Sequence, residues 1–313
     1  MKPYRSMLFV PGHKPSWAEK AIAAGADAII LDLEDSVPAA DKAAARAAVK
    51  ETIGRLHEQS PRADAWVRPN DYGSGLFGAD AEAVIVPGLA GLFLPKVFGA
   101  EEIVRIDAVV SHIEAREGLV AGSAGLIASF ETAASIVRCE QIAAAAPRVS
   151  SLFGITGPNG DAARELGFEF TLEGLESLYA RSRIIVAARA AGLHHPVTGV
   201  WQDIRDLDGF RRFALDARRL GYRGMVCIHP SHVAVANEVF TPPPETVDFS
   251  RRMVAAFRQA EAQGSAAIDF EGQHIDYAHV KTAQGVIDLA ESLGLSPPGG
   301  TSCPSRSRPT SAS

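Results

Sequence analysis

Two carboxylates follow consecutive apolar segments of the chain, and their positions suggest a cation site. Glu131 follows the segment 125–130, and Asp161 lies in the loop after the segment 150–154. Mg²⁺ takes oxygen ligands and usually uses one or two carboxylates, with water and substrate oxygens completing an octahedron. Each residue also fits a simpler interpretation, Glu131 as an acid at a helix N-terminus and Asp161 as a turn residue after Asn-Gly.

Arg68 is the basic residue best placed for an anion, since it ends the apolar run Ala-Trp-Val-Arg. A guanidinium there can bind a carboxylate through two hydrogen bonds or stabilise an enolate oxygen. The alternative is a structural salt bridge to Glu34 or Asp35. Strand alternation would point Asp32 and Glu34 one way and Asp35 the other. We expect these three acids to hold metal-bound water or to orient Arg68.

The elements that must position these residues alternate along the first 240 residues. The predicted strands are 6–10, 28–33, 65–68, 91–94, 125–130, 150–154, 196–200 and 224–228. The predicted helices are 15–24, 39–56, 101–116, 132–146, 172–191 and 207–220. Such alternation predicts parallel strands with crossover helices, and nearly continuous apolar strands are typical of burial on both faces.

Eight strand–helix units predict an α/β fold of the (β/α)₈ TIM-barrel type, in which all strand ends meet on one rim. The first strand is not followed by G-x-G-x-x-G, which argues against a dinucleotide-binding sheet. We therefore predict a catalytic barrel over residues 1–240. A proline-rich connector then leads to a small helical extension over 241–295, with a hairpin at 267–275. Residues 296–313 are rich in Pro, Ser and Gly, and we expect disorder there.

Composition narrows the class of protein. Among 313 residues, 31 Lys and Arg oppose 37 Asp and Glu, and this net charge of −6 argues against a nucleic-acid partner. The three cysteines are far apart in the sequence, which fits a reducing compartment and no disulfide framework. No apolar run is long enough to span a membrane, and the N-terminus does not resemble a signal peptide. We expect a cytoplasmic enzyme.

Several blocks in a fixed order resemble the HpcH/HpaI aldolase superfamily, and within it the citrate lyase beta-subunit-like and malyl-CoA lyase proteins. The resemblance runs from about residue 5 to residue 290. The blocks are RSMLFVPG at 5–12, GADAIILDLEDSV at 25–37, VRPN at 67–70, LPKV at 94–97, FET at 130–132, LYARSRIIVAARAAG at 178–192, IHPSHVAVANEVFTP at 228–242 and GQHID at 272–276.

The resemblance implies an Mg²⁺-dependent carbon–carbon lyase, with Mn²⁺ as the alternative cation, acting on a hydroxyacyl thioester of coenzyme A. Glu131 and Asp161 would hold the metal. Arg68 would contact the substrate carbonyl and carboxylate, and Glu131 would also face the substrate. Phe9 and Lys20 lie where the family binds the thioester. The family also implies a trimer or hexamer whose C-terminal extensions act as lids shared between subunits.

The aspartate of the C-terminal G-x-x-I-D motif looks like Asp276, which a neighbouring subunit would deliver as acid or base. This chain departs from the family in the loop before Asp161, which is one residue longer than the family pattern. Thr198 stands where many members have an aspartate. His274 and Tyr277 replace the usual neighbours of Asp276. These changes suggest an unusual substrate or a weakened site.

Two further interpretations stay open. The chain could be the beta subunit of a multi-subunit citrate lyase, which acts on a carrier-protein thioester instead of free coenzyme A. It could also be a catalytically silent relative that binds acyl-CoA. The sequence does not distinguish malyl, citramalyl, methylmalyl and citryl thioesters, because a methyl group in a pocket is worth only ~1–3 kcal/mol.

Overall fold

The computed structural model describes residues 2–59, 63–155, 157 and 160–295. The chain divides into two compact units, of which the first ends at Phe240 and the second begins at Thr241. The tail from residue 296 onward, for which the sequence predicts disorder, lies outside the described residues. Among the described helices, none has the length and apolar character that a membrane-spanning segment requires.

The first unit contains a closed barrel of eight parallel strands. The strands pair in chain order, and the last pairs with the first. Their bounds are β1 Ser6–Pro11, β2 Ala28–Asp32, β3 Asp64–Arg68, β4 Leu89–Leu94, β5 Gly125–Phe130, β6 Val149–Ile155, β7 Val197–Gly199 and β8 Gly224–Cys227. The predicted (β/α)₈ TIM barrel is therefore confirmed.

In the described part of the first unit, ten α-helices lie between the strands or after the last of them. Their bounds are α1 Trp17–Ala23, α2 Lys42–Gln59, α3 Phe77–Val84, α4 Ala100–Arg116, α5 Ala133–Val137, α6 Cys139–Ala143, α7 Asp161–Leu166, α8 Leu175–Ala190, α9 Leu207–Leu220 and α10 Pro230–Phe240. The helix predicted over 132–146 is interrupted at Arg138, which separates α5 from α6. The helices α3, α7 and α10 were not predicted; α3 and α7, with eight and six residues, are too short to show a clear helical period.

Two apolar layers explain which strand residues face the barrel interior. Ile30 and Trp66 belong to a cluster inside the barrel, whereas Ile29 and Leu31 belong to the larger cluster between strands and helices. Successive strand side chains point to opposite faces. Asp32, two positions after Ile30, and Arg68, two positions after Trp66, therefore also face the barrel interior. Those residues end their strands, so the strand period itself brings polar side chains to the interior rim.

The second unit is a pair of helices with a β-hairpin between them. Its elements are α11 Pro244–Glu261, β9 Ala267–Phe270, β10 Gln273–Asp276 and α12 Tyr277–Ser292. The two strands are antiparallel. A small apolar core that includes Met253, Phe257, Ile275 and Ile287 holds the helices and the hairpin together.

Candidate active site at the carboxyl ends of the strands

Arg68 and Asp32 form the centre of the polar rim. They lie opposite each other in the pairing of β2 with β3, and Arg68 Nε and Nη2 each donate to one Asp32 oxygen at 2.7 Å. Burial works to raise the pKa of Asp32, but the hydrogen bonds and charge of Arg68 outweigh it and hold the pKa below its usual range. The Asp32 carboxylate is therefore ionised at neutral pH and fixes the plane of the guanidinium.

Glu34 joins this pair to a second cation. Arg68 Nη1 lies 3.0 Å from Glu34 Oε2, and Lys96 Nζ lies 2.7 Å from Glu34 Oε1. Burial raises the pKa of Glu34, and the charges of Arg68 and Lys96 offset this only in part. Asp35 is more exposed and lies 3.6 Å from Lys96. The sequence offered Glu34 or Asp35 as salt-bridge partners of Arg68 and all three acids as residues that could orient it. In the structure Asp32 and Glu34 contact Arg68.

Arg68 retains capacity to bind an anion despite these contacts. A guanidinium has five N–H donors; two of them donate to Asp32, and Nη1 is ion-paired with Glu34. Its central carbon lies 4.6 Å from the centre of the Phe9 ring, and the Phe9 ring packs edge-on against Phe93. The flat guanidinium is thus held by two acids and one aromatic face, with one N–H on each terminal nitrogen left for a ligand.

Glu131 is a buried carboxylate that the fold leaves without a partner. It is only 4% exposed, and the described residues provide its carboxylate with no hydrogen bond or ion pair. It does not serve as the helix cap, because Thr132 caps α5 in a capping box with Ser135. Burial, followed by the charge of Glu34, raises the pKa of Glu131 to about 7. A buried, unpaired carboxylate is unfavourable unless it is protonated or neutralised by a cation.

Asp161 is the first residue of α7 and faces the same region. Its charge is among those that raise the pKa of Glu131, and it also acts on Lys96. Its carboxylate lies 2.6 Å from Arg164, whose side chain is largely exposed. The preceding loop was flagged for its extra residue, and positions 156, 158 and 159 of that loop lie outside the described residues.

The donor set fits a hard divalent cation. Within the described part of the chain, His, Cys, Asp and Glu do not gather in a group of three or more that could hold a metal. Mg²⁺ differs from Zn²⁺ in needing only one or two carboxylates, with water and substrate oxygens as the remaining ligands. The buried, unpartnered Glu131, with Asp161 beside it, meets that requirement, and a cation there would remove the electrostatic cost that raises the pKa of Glu131.

Asn70, which belongs to the V-R-x-N block, has a structural role. Its backbone N–H and its side-chain amide both donate to Asp80, at 2.7 and 2.6 Å. Asp80 lies in α3, is fully buried, and also accepts from Arg46. The carboxylate thus ties the loop after β3 to α2 and α3, and so fixes the end of the strand that carries Arg68. The sequence gave no signal for Asp80, because α3 was not predicted.

The remaining predicted residues lie at different places. Lys20 is an exposed residue of α1, on the surface of the barrel unit. His229, in the IHPSHVAVANEVFTP block two residues after β8, is paired with the Ser231 hydroxyl at 2.8 Å. Asp276 belongs to the second unit, where its carboxylate caps α12 by accepting from Ala278 and His279. The hydrogen bond with the His279 side chain lowers the pKa of Asp276.

Known proteins resemble this chain over almost its whole length. The family model for HpcH/HpaI aldolase/citrate lyase matches residues 5–230. The L-malyl-CoA/beta-methylmalyl-CoA lyase of Cereibacter sphaeroides is 34% identical over 312 residues, which covers 93% of this chain and 96% of that protein. Citrate lyase subunit beta of Leuconostoc mesenteroides subsp. cremoris is 32% identical over 291 residues, covering 93% and 94%.

A solved structure agrees with these relatives. CitE from Mycobacterium tuberculosis, crystallised in complex with magnesium, acetoacetate and coenzyme A, superposes with a TM-score of 0.71 at 30% identity. The match covers 93% of this chain and 98% of that one. The relatives are lyases of CoA esters or subunits of citrate lyase. The chain therefore belongs to the HpcH/HpaI aldolase/citrate lyase family, a family of lyases.

Proposed function

We propose that this protein is an Mg²⁺-dependent lyase that cleaves or forms the carbon–carbon bond of a 3-hydroxyacyl-CoA thioester, giving acetyl-CoA or another acyl-CoA and an oxo acid. The observation that carries the proposal is the pairing of two features on one barrel rim. Among the described residues, the buried carboxylate of Glu131 has no hydrogen-bond or ion-pair partner, and the fixed guanidinium of Arg68 has N–H groups without a hydrogen-bond acceptor. The Glu131 carboxylate suits a cation, and the Arg68 guanidinium suits the carboxylate or carbonyl oxygen of an oxo acid.

Glu131 and Asp161 would hold the metal, with Mn²⁺ as the alternative cation. The metal supplies Lewis-acid polarisation and a template for the oxo-acid oxygens. Arg68 then binds the oxo-acid portion and stabilises the negative charge that develops on the oxygen as the carbon–carbon bond breaks. Because Asp32 and Glu34 already hold the guanidinium in place, little reorganisation is needed when that charge appears.

Asp276 is proposed as the acid–base group, delivered by the lid of a neighbouring subunit. In the cleavage direction a proton must reach the carbon next to the thioester carbonyl, and in the reverse direction that proton must be removed. The lowered pKa of Asp276 favours its ionised form, which suits removal of the proton from acetyl-CoA. Phe9, beside Arg68, and Lys20 on α1 are proposed contacts of the thioester ligand.

A second candidate acts on a carrier-protein thioester instead of free coenzyme A. It is favoured by the 32% identity to citrate lyase subunit beta. Both candidates share the carbon–carbon bond cleavage at the rim and differ only in what carries the acyl group. The chemistry assigned to Arg68, Glu131 and Asp161 is therefore the same in each.

We also propose that the protein is a homo-oligomer, a trimer or a hexamer. Helix α8 presents Leu175, Tyr179 and Val186 on one face, spaced by four and seven residues, and each is more than 60% exposed. Val137 and Phe98 are exposed next to this face. We name these five side chains the α8 face, and together they form an exposed apolar surface of the kind that often marks a protein–protein contact.

Two arginines hold the α8 face in a fixed arrangement. Arg183 donates to the Tyr179 hydroxyl at 2.9 Å and to the Val137 carbonyl oxygen at 3.0 Å. Arg138 donates to the Phe98 carbonyl oxygen at 3.1 Å. An apolar centre with a polar rim is the pattern expected of a protein–protein interface. A second copy of the chain is the occupant we propose.

A panel of hydroxyacyl-CoA thioesters tests the proposed function. The purified protein is incubated with each thioester, with Mg²⁺ or with a chelator, and release of the shorter acyl-CoA is followed by mass spectrometry. We expect Mg²⁺-dependent cleavage of at least one member, abolished by Glu131→Ala. Cleavage only when the acyl group is on a carrier protein would favour the second candidate. No turnover with either carrier, and no Mg²⁺ binding, would reject the lyase in favour of a silent acyl-CoA-binding protein.

A further inference from the structure

We propose that Lys96 is a positioning residue of this site, which acts through Glu34 to hold Arg68 in the orientation that binds the oxo acid. The proposal deepens the proposed function and rests on it. The LPKV block drew attention to Lys96 as a residue after a strand, but the sequence assigned it no role. The contacts, the backbone and the charges around Lys96 each support the assignment.

The backbone of Lys96 is the first observation. It follows the end of β4 with a φ of 49°, in the left-handed region that favours glycine. Among the described residues that are not glycine, only Lys96 and Glu271 have a positive φ. A lysine in this conformation costs free energy that a glycine would avoid. Its presence indicates that the side chain is needed at this point of the rim, since strained conformations concentrate at functional sites.

The contacts are the second observation. The Glu34 carboxylate bridges two cations, with Oε1 2.7 Å from Lys96 Nζ and Oε2 3.0 Å from Arg68 Nη1. Because the two oxygens are held from opposite sides, the carboxylate cannot turn without losing one cation. Lys96 thus holds Glu34 in place. Glu34 in turn holds Nη1 of Arg68, the side-chain nitrogen that does not donate to Asp32.

Charge is the third observation. Glu34 is almost completely buried and yet has to be ionised to hold Arg68. Lys96 and Arg68 supply the two positive charges that favour this ionised form. Removal of the Lys96 charge should therefore weaken the Glu34–Arg68 contact without touching either of those residues. Arg68 would keep Asp32 but would lose its second anchor.

A double-mutant cycle separates this indirect role from direct contact with the ligand. The variants are Lys96→Met, Glu34→Gln and the two combined, and the measured quantity is the Kd for oxaloacetate with saturating Mg²⁺, by isothermal titration calorimetry. We expect each single variant to weaken binding about tenfold, and the double variant to be no weaker than the poorer single variant, because residues of one network are not additive. Wild-type turnover of the thioester panel is measured in parallel.

Three matched variants complete the design. Lys96→Arg keeps the charge and should restore binding to within about threefold of wild type. Lys96→Gly removes the backbone strain together with the side chain, and should bind as weakly as Lys96→Met. Lys50→Met removes an exposed lysine of the outer helix α2 and should leave the Kd unchanged. Thermal unfolding of each variant shows whether weaker binding reflects loss of the fold.

Each possible outcome either supports or overturns the role proposed for Lys96. Additive losses would mean that Lys96 contacts the ligand independently of Glu34, and unchanged binding in Lys96→Met would mean that it has no role, so either would overturn the proposal. Failure of the wild type to bind oxaloacetate would also overturn it. Non-additive losses without turnover of any thioester would support the role of Lys96 while rejecting the proposed reaction.

Discussion

Asp32 and Arg68 face each other across adjacent strands of the barrel, joined by two parallel hydrogen bonds of 2.7 Å. The Asp32 side chain is 2% exposed and the Arg68 side chain 18%, so the pair is largely removed from water. Burial works to lower the pKa of Arg68, but the hydrogen bonds and charge of Asp32 more than offset this, and the pKa is raised. The pair therefore anchors a permanent positive charge at the rim.

Arg68→Lys should lower kcat/KM at least about 100-fold, because an ammonium cannot donate two parallel hydrogen bonds to Asp32 and still reach a substrate oxygen. Arg68→Met should also destabilise the protein by about 3–5 kcal/mol, because it leaves the Asp32 carboxylate buried without its counter-charge. Steady-state kinetics and urea unfolding measure the two effects. Equal activity of Arg68→Lys and wild type would contradict the proposed role of the guanidinium.

The Asp32–Arg68 pair should make the free energy of unfolding depend on pH in the acidic range. Asp32 has a lower pKa in the folded protein than in the unfolded chain, so its contribution is complete above the unfolded value of about 4 and is lost as pH falls through the folded value. Urea unfolding at pH 7 and at pH 3 should show a larger loss for the wild type than for Asp32→Asn. A loss of the same size in both proteins would mean that Asp32 is not responsible.

Glu131 should oppose folding at high pH when no divalent cation is bound. Its pKa is raised to about 7 in the folded protein, so the proton it retains stabilises the fold at low pH, and that stabilisation is lost as pH rises from about 4.5 to about 7. In chelator at pH 8, Glu131→Gln should be more stable than wild type by up to about 3 kcal/mol. The difference should shrink as the pH is lowered towards 4.5.

Mg²⁺ should offset most of that difference in stability. At a hundredfold excess over its Kd, Mg²⁺ should stabilise the wild type by about 2.7 kcal/mol and leave Glu131→Gln unchanged. Differential scanning fluorimetry at pH 8, with Mg²⁺ or with chelator, measures this directly. An equal shift in both proteins would place the cation elsewhere.

Asp276→Asn separates acid–base chemistry from helix capping. Asparagine caps a helix about as well as aspartate, so the variant should keep the N-terminus of α12 and the stability of the second unit. It cannot take up or release the proton, and turnover should fall about 10²–10⁴-fold. Asp276→Ala is the matched variant, which should lose both the activity and about 1 kcal/mol of cap stability. Full activity of Asp276→Asn would reject the assignment.

Charges placed on the α8 face should dissociate the proposed oligomer. Leu175→Glu and Tyr179→Glu each put a carboxylate into an apolar surface that a second copy would cover, and unpaired charges at the core of an interface are unfavourable. Light scattering after size-exclusion chromatography should show a smaller species than the wild type. Val120→Glu, at another exposed apolar residue, is the control. A monomeric wild type would exclude the proposed interface.

The order of the elements and the identity of the rim residues could be predicted from the sequence. Apolar runs separated by helical patterns predict a parallel barrel, because each strand has to be buried on both faces and each crossover needs a helix. Residues that end such strands, among them Arg68 and Glu131, then have to meet on one rim. The order of the strands is enough for this prediction, and it follows from the order of the apolar segments in the sequence.

The partners of those residues are decided by the tertiary structure. Asp32 rather than Asp35 holds Arg68 because strand register sets these two residues opposite each other, and register depends on pairings between distant segments. The left-handed backbone of Lys96 and its reach to Glu34, which follows β2, depend on how the ends of β2, β3 and β4 come together on the rim. Burial, which raises the pKa of Glu131, comes from neighbours far apart in sequence. Local pattern cannot report such contacts, because they form only when the barrel closes.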